Sequence, residues 1–259
     1  MARAIWKGEI VLGKTKLPVQ MYSAVQDQTI HFRLLHSTDH VPVEQRIVRK
    51  SDSKEVPKEE RRKAYLIDRT EAVILQPEEL EALQPEPSRE IHLCRFVPAG
   101  ILGDQWFDRP YFLGPDKDDA DYFALTEALE KSKAVGVARW VMRKARYLGA
   151  LTSNGGYLVM TTLRRADQVI AVSSIEIPEA RRPDEKELKL AENLVSSIEG
   201  DFDPKLWKNE YRERVHALID AKARGKVVKL ARPKAKREGG DLADLLQRSL
   251  AGTKERKVA

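Results

Sequence analysis

Residues 135–162 read VGVARWVMRKARYLGALTSNGGYLVMTT. The spacing predicts a strand over 135–142, a turn at Arg143 and Lys144, and a returning strand over 146–152. Ser153-Asn154-Gly155-Gly156 turns the chain again into a third strand over 157–162, because Asn and Gly tolerate the positive φ that tight turns need. Two consecutive hairpins of this kind belong to an antiparallel sheet.

The pattern continues on the N-terminal side. A helix ending near Ser132 is capped by Asp118 or Asp119 and carries Tyr122, Leu125 and Leu129 on one stripe. Before it, 106–113 is aromatic-rich extended chain around Pro110, and 91–97 is another strand. Short strand signals at 64–68 and 72–75 precede a brief helix, PEELEALQ, opened by Pro77 with acids in its first turn. Strands at 4–12, 17–22 and 29–35 make the first 35 residues an antiparallel meander and not a βαβ unit, the early Pro18 suiting an edge or a strand start. At least eight strands with two intervening helices fit a mainly β fold with α: a β-barrel or strongly curved sheet with helices at its margins.

Between 37 and 63 the alternation is lost. Eight basic residues (Arg46, Arg49, Lys50, Lys54, Lys58, Arg61, Arg62, Lys63) and six acids stand there with few aliphatics, too few for a core of their own. A polar excursion this long inside a compact domain usually has a function. On the C-terminal side, a helix over 183–199 turns Leu188, Ala191, Leu194, Val195 and Ile198 inward and stops at Gly200. Asp203 then caps a second helix whose first residue is Pro204. Trp207, Tyr211, Val215, Leu218 and Ile219 put one apolar stripe along about 20 residues, ending at Gly225. That stripe needs a partner surface.

Charge divides the chain. With 46 basic and 40 acidic residues in all, residues 221–259 hold 12 and 4 of them, which leaves 34 and 36 for residues 1–220. The excess positive charge therefore lies wholly in the last 39 residues, as expected for a polyanionic partner or for a solubilising tail. A membrane surface fits less well, since the tract 222–237 has no interleaved aromatics. A final short helix from Asp241 places Leu242, Leu245, Leu246 and Leu250 on one face, suited to a partner groove or to its own body.

Dedicated chemistry is hard to find. There is no GxxxxGK[ST], GxGxxG, HExxH or CxxC pattern, and no nucleophile, base and oxyanion donor assemble. His36 and His40 flank Asp39 at metal-like spacing without a further ligand, so neither metal nor cofactor is expected. The single Cys94, in IHLCRF, reads as a core residue of a protein from a reducing compartment. No run is long enough for a membrane span, and the expected setting is cytoplasmic.

Several separated motifs carry a resemblance. AIWKGEI, LPVQMYSA, the LH at 35–36, KEVP at 54–57, LQPEELEAL, YFLGPD, TTLRRADQV and GDFDPKLWKNEYRERVHALIDAKARGK resemble, in collinear order over 1–226, the bacterial Ku family, the DNA-end-binding proteins of non-homologous end joining. The resemblance implies a β-barrel core with an arch-forming insertion (1–180, arch about 37–63), a helical C-terminal arm (181–226) and a short basic tail (227–259). It also implies a nucleoid-associated homodimeric ring on double-stranded DNA ends, without catalytic activity, and recruitment of an ATP-dependent DNA ligase. On this footing the DNA-contacting candidates are Arg46, Arg49, Lys50, Arg61, Arg62 and Lys63 in the insertion and Arg33, Arg143, Lys144 and Arg164 elsewhere. Lys226, Lys229, Lys234, Lys236 and Arg237 add the tail. Trp207, Tyr211, Val215, Leu218 and Ile219 become the dimer arm, and Leu242, Leu245, Leu246 and Leu250 the partner-docking face. The paired cysteines that relatives often carry in the insertion are absent, the stretch here reading VEQRIVRKSDSKEVP. The other reading of the charge is a general nucleic-acid-coating protein working through its basic tail.

Overall fold

The computed structural model describes residues 3–116, 120–176 and 183–225, and the chain divides into two compact units, 1–174 and 175–259. In the first unit the strands are β1 (Trp6–Leu12), β2 (Thr15–Ser23), β3 (Lys63–Leu66), β4 (Ala72–Leu75), β5 (Glu90–Pro98), β6 (Phe107–Pro115), β7 (Ala134–Met142), β8 (Ala145–Asn154) and β9 (Tyr157–Leu163). Two helices accompany them, α1 (Pro77–Ala82) and α2 (Ala120–Ser132). Seven of the strands close a barrel in the order β1-β2-β6-β9-β8-β7-β5.

Neighbouring barrel strands are antiparallel except at the closing seam, where β1 and β5 run parallel through Glu9↔Glu90, Ile10↔Ile91 and Val11↔His92. Lys16 Nζ ties that seam from outside, 2.7 Å from Glu90 and 3.3 Å from Glu9. The two hairpins at the heart of the sequence form as expected. Met142 pairs with Ala145 across Arg143 (φ 49°) and Lys144 (φ 65°), and Asn154 with Tyr157 across Gly155 (φ 59°) and Gly156 (φ 83°). Paired positive φ values match the right-handed twist of the flanking strands.

The core follows the period of two. Val19 and Met21 on β2, Tyr111 and Leu113 on β6, Ala138, Trp140 and Met142 on β7, and Leu158 and Met160 on β9 all point inward and are buried. Each large side chain so enclosed contributes about 1.5–3 kcal/mol. Trp140 stacks on Tyr147 directly across the β7–β8 ladder, with centroids 5.4 Å apart.

After Ser23 the chain leaves the barrel and rejoins it at Glu90. This excursion contains 37–63 and extends past it on both sides. Within it lie two isolated bridges (Leu35↔Pro42, Val48↔Glu55), a 3-10 turn at Lys58–Glu60, the β3–β4 ladder and α1. The 29–35 segment is not the expected third strand. β2 already has β1 and β6 on its two edges, so no ladder is open to it, and Phe32 and Leu34 stay exposed. For the same reason Pro18 marks no sheet edge: it pairs with Glu9, and the β6 register begins only at Val19. Cys94 is exposed, not core. Ile91 and Leu93 face the core, so alternation along β5 puts Cys94 on the outer face with His92, and the β5–β7 register slips just there, between Leu93 and Arg95. The expected caps of α2, Asp118 and Asp119, lie outside the described residues.

The second unit holds α3 (Glu185–Ser197) and α4 (Glu210–Ala223). Asp184 caps α3 by accepting from Glu187 N at 2.8 Å. Its apolar residues turn inward only in part: Ala191 and Leu194 are half-buried, whereas Leu188, Val195 and Ile198 are exposed, because two short helices offer too little surface to enclose them all. Gly200 is not the stop, since α3 ends earlier at Ile198, which serves as its C-cap. The long helix from Pro204 is also broken. Asp203 caps only a 3-10 turn, Pro204–Leu206, and Asn209 Oδ1, accepting from Arg212 N at 3.0 Å, starts a separate 14-residue helix. A side-chain acceptor at 209 competes for the amides that would have continued the first turn. Gly225 ends α4 at φ 71°, its N–H reaching Lys222 O.

Candidate nucleic-acid interface

Strand register gives the barrel two unlike ends. At one, α2 lies against the C-terminus of β6 and the β8–β9 turn. The Tyr122 hydroxyl donates to Leu113 O (2.5 Å) and accepts from Leu158 N (2.9 Å), while the Glu130 carboxylate accepts from Ser153 Oγ and Gly156 N. Burial pushes the Tyr122 phenol above its usual pKa.

At the opposite end β1, β5, β6 and β8 begin and β2, β7 and β9 finish. The excursion is rooted there too. Ala24 N donates to Pro110 O, and Glu9 N donates to Arg89 O at 2.8 Å. Exposed Arg89, Arg109, Arg143, Lys144, Arg146 and Arg165 sit at the same end, and half-buried Arg164 joins them. One pole of the barrel is thus covered by a helix and the other is cationic.

The residues singled out in the sequence fall into distinct settings. Arg143 and Lys144 form the tip of the β7–β8 turn; Lys144 reaches Glu81 at 3.8 Å, and Arg143 has no partner among the described residues. Arg164 is spent on the chain itself, its Nη1 donating to Gln105 O and Phe107 O and its Nη2 to Asp108. In the excursion Arg46 pairs with Glu44 and Glu55, and Arg49 with Asp52. Arg61 and Arg62 bond the carbonyls of Val56 and Glu59. Lys50, Lys63 and Arg33 are exposed without a partner among the described residues. Exposed pairs of this type are worth about 0–1 kcal/mol, so a phosphate can replace the carboxylate at little cost.

Local acceptors hold the excursion in shape without a core. Asp68 accepts from Thr70 N (2.7 Å) and Glu71 N (2.8 Å), and these amides hold its carboxyl below the usual range. Asp39 is lowered likewise by Val41 N and by His36, whose Nδ1 lies 2.7 Å away. The His36–Asp39–His40 spacing is therefore that of a turn, with His40 at φ 58°. Among the described residues no group of three or more His, Cys, Asp or Glu could hold a metal, and no helix is long and apolar enough to cross a membrane.

Of the arm residues, Trp207 sits in the break between turn and helix and stacks on Phe202 at 6.3 Å; Tyr211 and Ile219 are exposed, and Val215 and Leu218 half-buried. The tail candidates Lys226, Lys229, Lys234, Lys236 and Arg237, with Leu242, Leu245, Leu246 and Leu250, lie outside the described residues.

The family model of the Ku70/Ku80 beta-barrel domain matches residues 11–190 of this chain. The chain belongs to the Ku family. It is similar to Non-homologous end joining protein Ku 2 of Geotalea uraniireducens, at 38% identity with 89% of this chain and 90% of the relative covered. Similarity to the Non-homologous end joining protein Ku of Anaeromyxobacter sp. (strain K) is 36%, over 99% of this chain and 88% of the relative. The Coxiella burnetii protein of the same name is 32% identical, over 95% and 92%. The match takes in the barrel of this Ku chain from the end of β1 onward, the whole excursion between β2 and β5, and the start of α3.

Sequence reasoning missed Arg89, Arg109, Arg139, Arg146 and Arg165. The signal for two of them was in the first stretch quoted: Arg139 and Arg146 flank the 143–144 turn at positions whose neighbours Ala138, Trp140 and Tyr147 face inward. Alternation alone would have put both outside.

Proposed function

We propose that this protein binds double-stranded DNA ends without reading their sequence, as a homodimeric ring in non-homologous end joining, and that it recruits an ATP-dependent DNA ligase to the end. One observation carries the reading: the excursion of 24–89 is rooted at the same barrel end that gathers the exposed arginines and lysines. A strap sprung from a cationic platform can close over a rod of phosphates. Contacts of this kind fix position, ignore base identity and weaken steeply with salt.

The homodimer is supported by surfaces the single chain leaves bare. Tyr65, Leu66 and Ile67 on one side of the β3–β4 hairpin, and Val73 and Ile74 on the other, are 46–70% exposed. A two-stranded ladder is marginal alone, and an apolar patch of this type asks for a second surface. The protein acts as a scaffold, not as an enzyme, and works in the cytoplasm at the nucleoid. Ligase recruitment rests on the end-joining role that the relatives' names carry, and the tail is the segment proposed for it.

Binding to linear duplex is compared with binding to covalently closed circles of the same sequence. Threading requires a free end, so linear duplex is retained and closed circles are not; equal retention of both refutes the ring.

A further inference from the structure

We infer that a further phosphate-binding surface lies on the outer wall of the barrel, formed by Arg139, Arg146 and Arg165, and that it grips the backbone of the same duplex. It rests on the DNA-binding reading above. Register brings the three together. Arg139 on β7 pairs with Leu148 on β8, and Leu148 pairs with Leu163 on β9. Arg146 stands two residues before Leu148 and Arg165 two after Leu163; because β8 and β9 are antiparallel, both displacements point the same way. Diagonal neighbours on such a sheet are about 7–8 Å apart. All three arginines line one open cleft of about 530 Å³, with Leu148 and Leu163 among its apolar lining.

The charges of this cleft are not balanced from within. Its Asp108 is engaged by Arg164 at 3.3 Å, and Arg165 reaches Asp167 only at 3.4 Å. Arg139 Nε donates to a thiol sulfur, Cys94 Sγ, at 3.2 Å, and Arg146 has no partner among the described residues. Arg139 stands opposite Leu148 and Arg146 opposite Val141, so no carboxylate faces either of them across the ladder and an external anion supplies the missing countercharge. Guanidinium groups present fixed, two-pronged donors that suit phosphate oxygens. The cleft is a shallow groove without a glycine-rich phosphate loop, which favours a polymer lying across it over a small anion held within it. It also adjoins the Arg143–Lys144 tip along β7 and β8, so a strand leaving the cationic rim runs onto it.

The test measures binding of a labelled linear duplex across a salt series, for wild type, R146Q, R146K and the triple variant R139Q/R146Q/R165Q. The slope of log K against log salt is expected to fall by about 0.9 for each phosphate that a protomer no longer neutralises. It therefore drops once for R146Q, further for the triple variant, and stays at the wild-type value for R146K, which keeps the charge. R146Q alters one exposed, unpaired side chain, so its slope is interpretable even if the triple variant folds poorly. An unchanged slope in R146Q and in a folded triple variant overturns the inference and leaves the DNA reading standing. Failure of wild type to bind linear duplex removes both. Displacement of duplex from wild type by inorganic phosphate at constant ionic strength assigns the cleft to a free anion and overturns the inference as well.

Discussion

Arg143 and Lys144 occupy a two-residue turn at φ 49° and 65°, where hairpins ordinarily place Asn-Gly. An L-residue held in the left-handed region costs about 1–2 kcal/mol, with Asn less penalised and Gly not at all. Replacing the pair, R143N/K144G, therefore recovers about 2–3 kcal/mol of backbone strain. Against this stand about 0.5–1 kcal/mol for the added freedom of glycine in the unfolded chain. The exposed Lys144–Glu81 pair at 3.8 Å contributes about 0–1 kcal/mol more on the same side. The net expectation is a gain of about 1 kcal/mol, and for a unit of this size a Tm higher by about 2–4 °C. Binding should move the other way. With both cations gone, each engaged protomer neutralises two phosphates fewer, which lowers the salt slope by about 1.8. Thermal unfolding and a salt series of duplex binding read the two effects on one variant. A protein that grows more stable while its salt slope stays fixed would refute the placement of DNA at this rim, and one that loses stability would refute the strain argument.

Other consequences concern the barrel itself. Tyr122→Phe removes a hydroxyl that serves Leu113 O and Leu158 N inside the protein, leaving two buried backbone groups unsatisfied. A loss of about 2–5 kcal/mol in urea unfolding is expected. Because burial raises the Tyr122 pKa above its unfolded value near 10, its contribution is whole below that value and disappears as pH climbs through the folded one. Alkaline unfolding should accordingly come later in Tyr122→Phe, relative to its own neutral stability, than in wild type. Gly149→Ala sets a methyl 2.6 Å from Trp140 Cζ3 and 2.8 Å from Met160 Sδ, and should cost about 1–3 kcal/mol in the same measurement.

Much of the barrel was legible in the sequence because its determinants are local. The hairpins at 143–144 and 155–156 are written in turn residues and in a period of two, and the strand boundaries fall within a residue or two of those expected. What was not legible depends on partners distant in the chain. The 29–35 segment alternates like a strand, and only the occupied edges of β2 exclude it. Cys94 sits in an alternating run, and which face of that run meets the core, the Ile91 and Leu93 face, is decided by pairing with β7 and not by the run itself. The break before α4 is a contest between two caps, Asp203 and Asn209, that helical periodicity cannot register. For the candidate site, the charges of the excursion were visible as a run, whereas the wall arginines are scattered singly through strands, and closure of the sheet brings them together.

The parallel seam of β1 with β5 joins residues 9–11 to 90–92, with the whole excursion hanging between. Ring closure through so long a tether is entropically costly once, but the cost grows only logarithmically, by about 0.6 kcal/mol per doubling of the tether. Insertions and deletions in the strap are therefore nearly free for the barrel, provided the three-residue seam still meets. The length of the excursion and the stability of the barrel are thus separable properties, since the one can change while the seam pairs that fix the other stay in place.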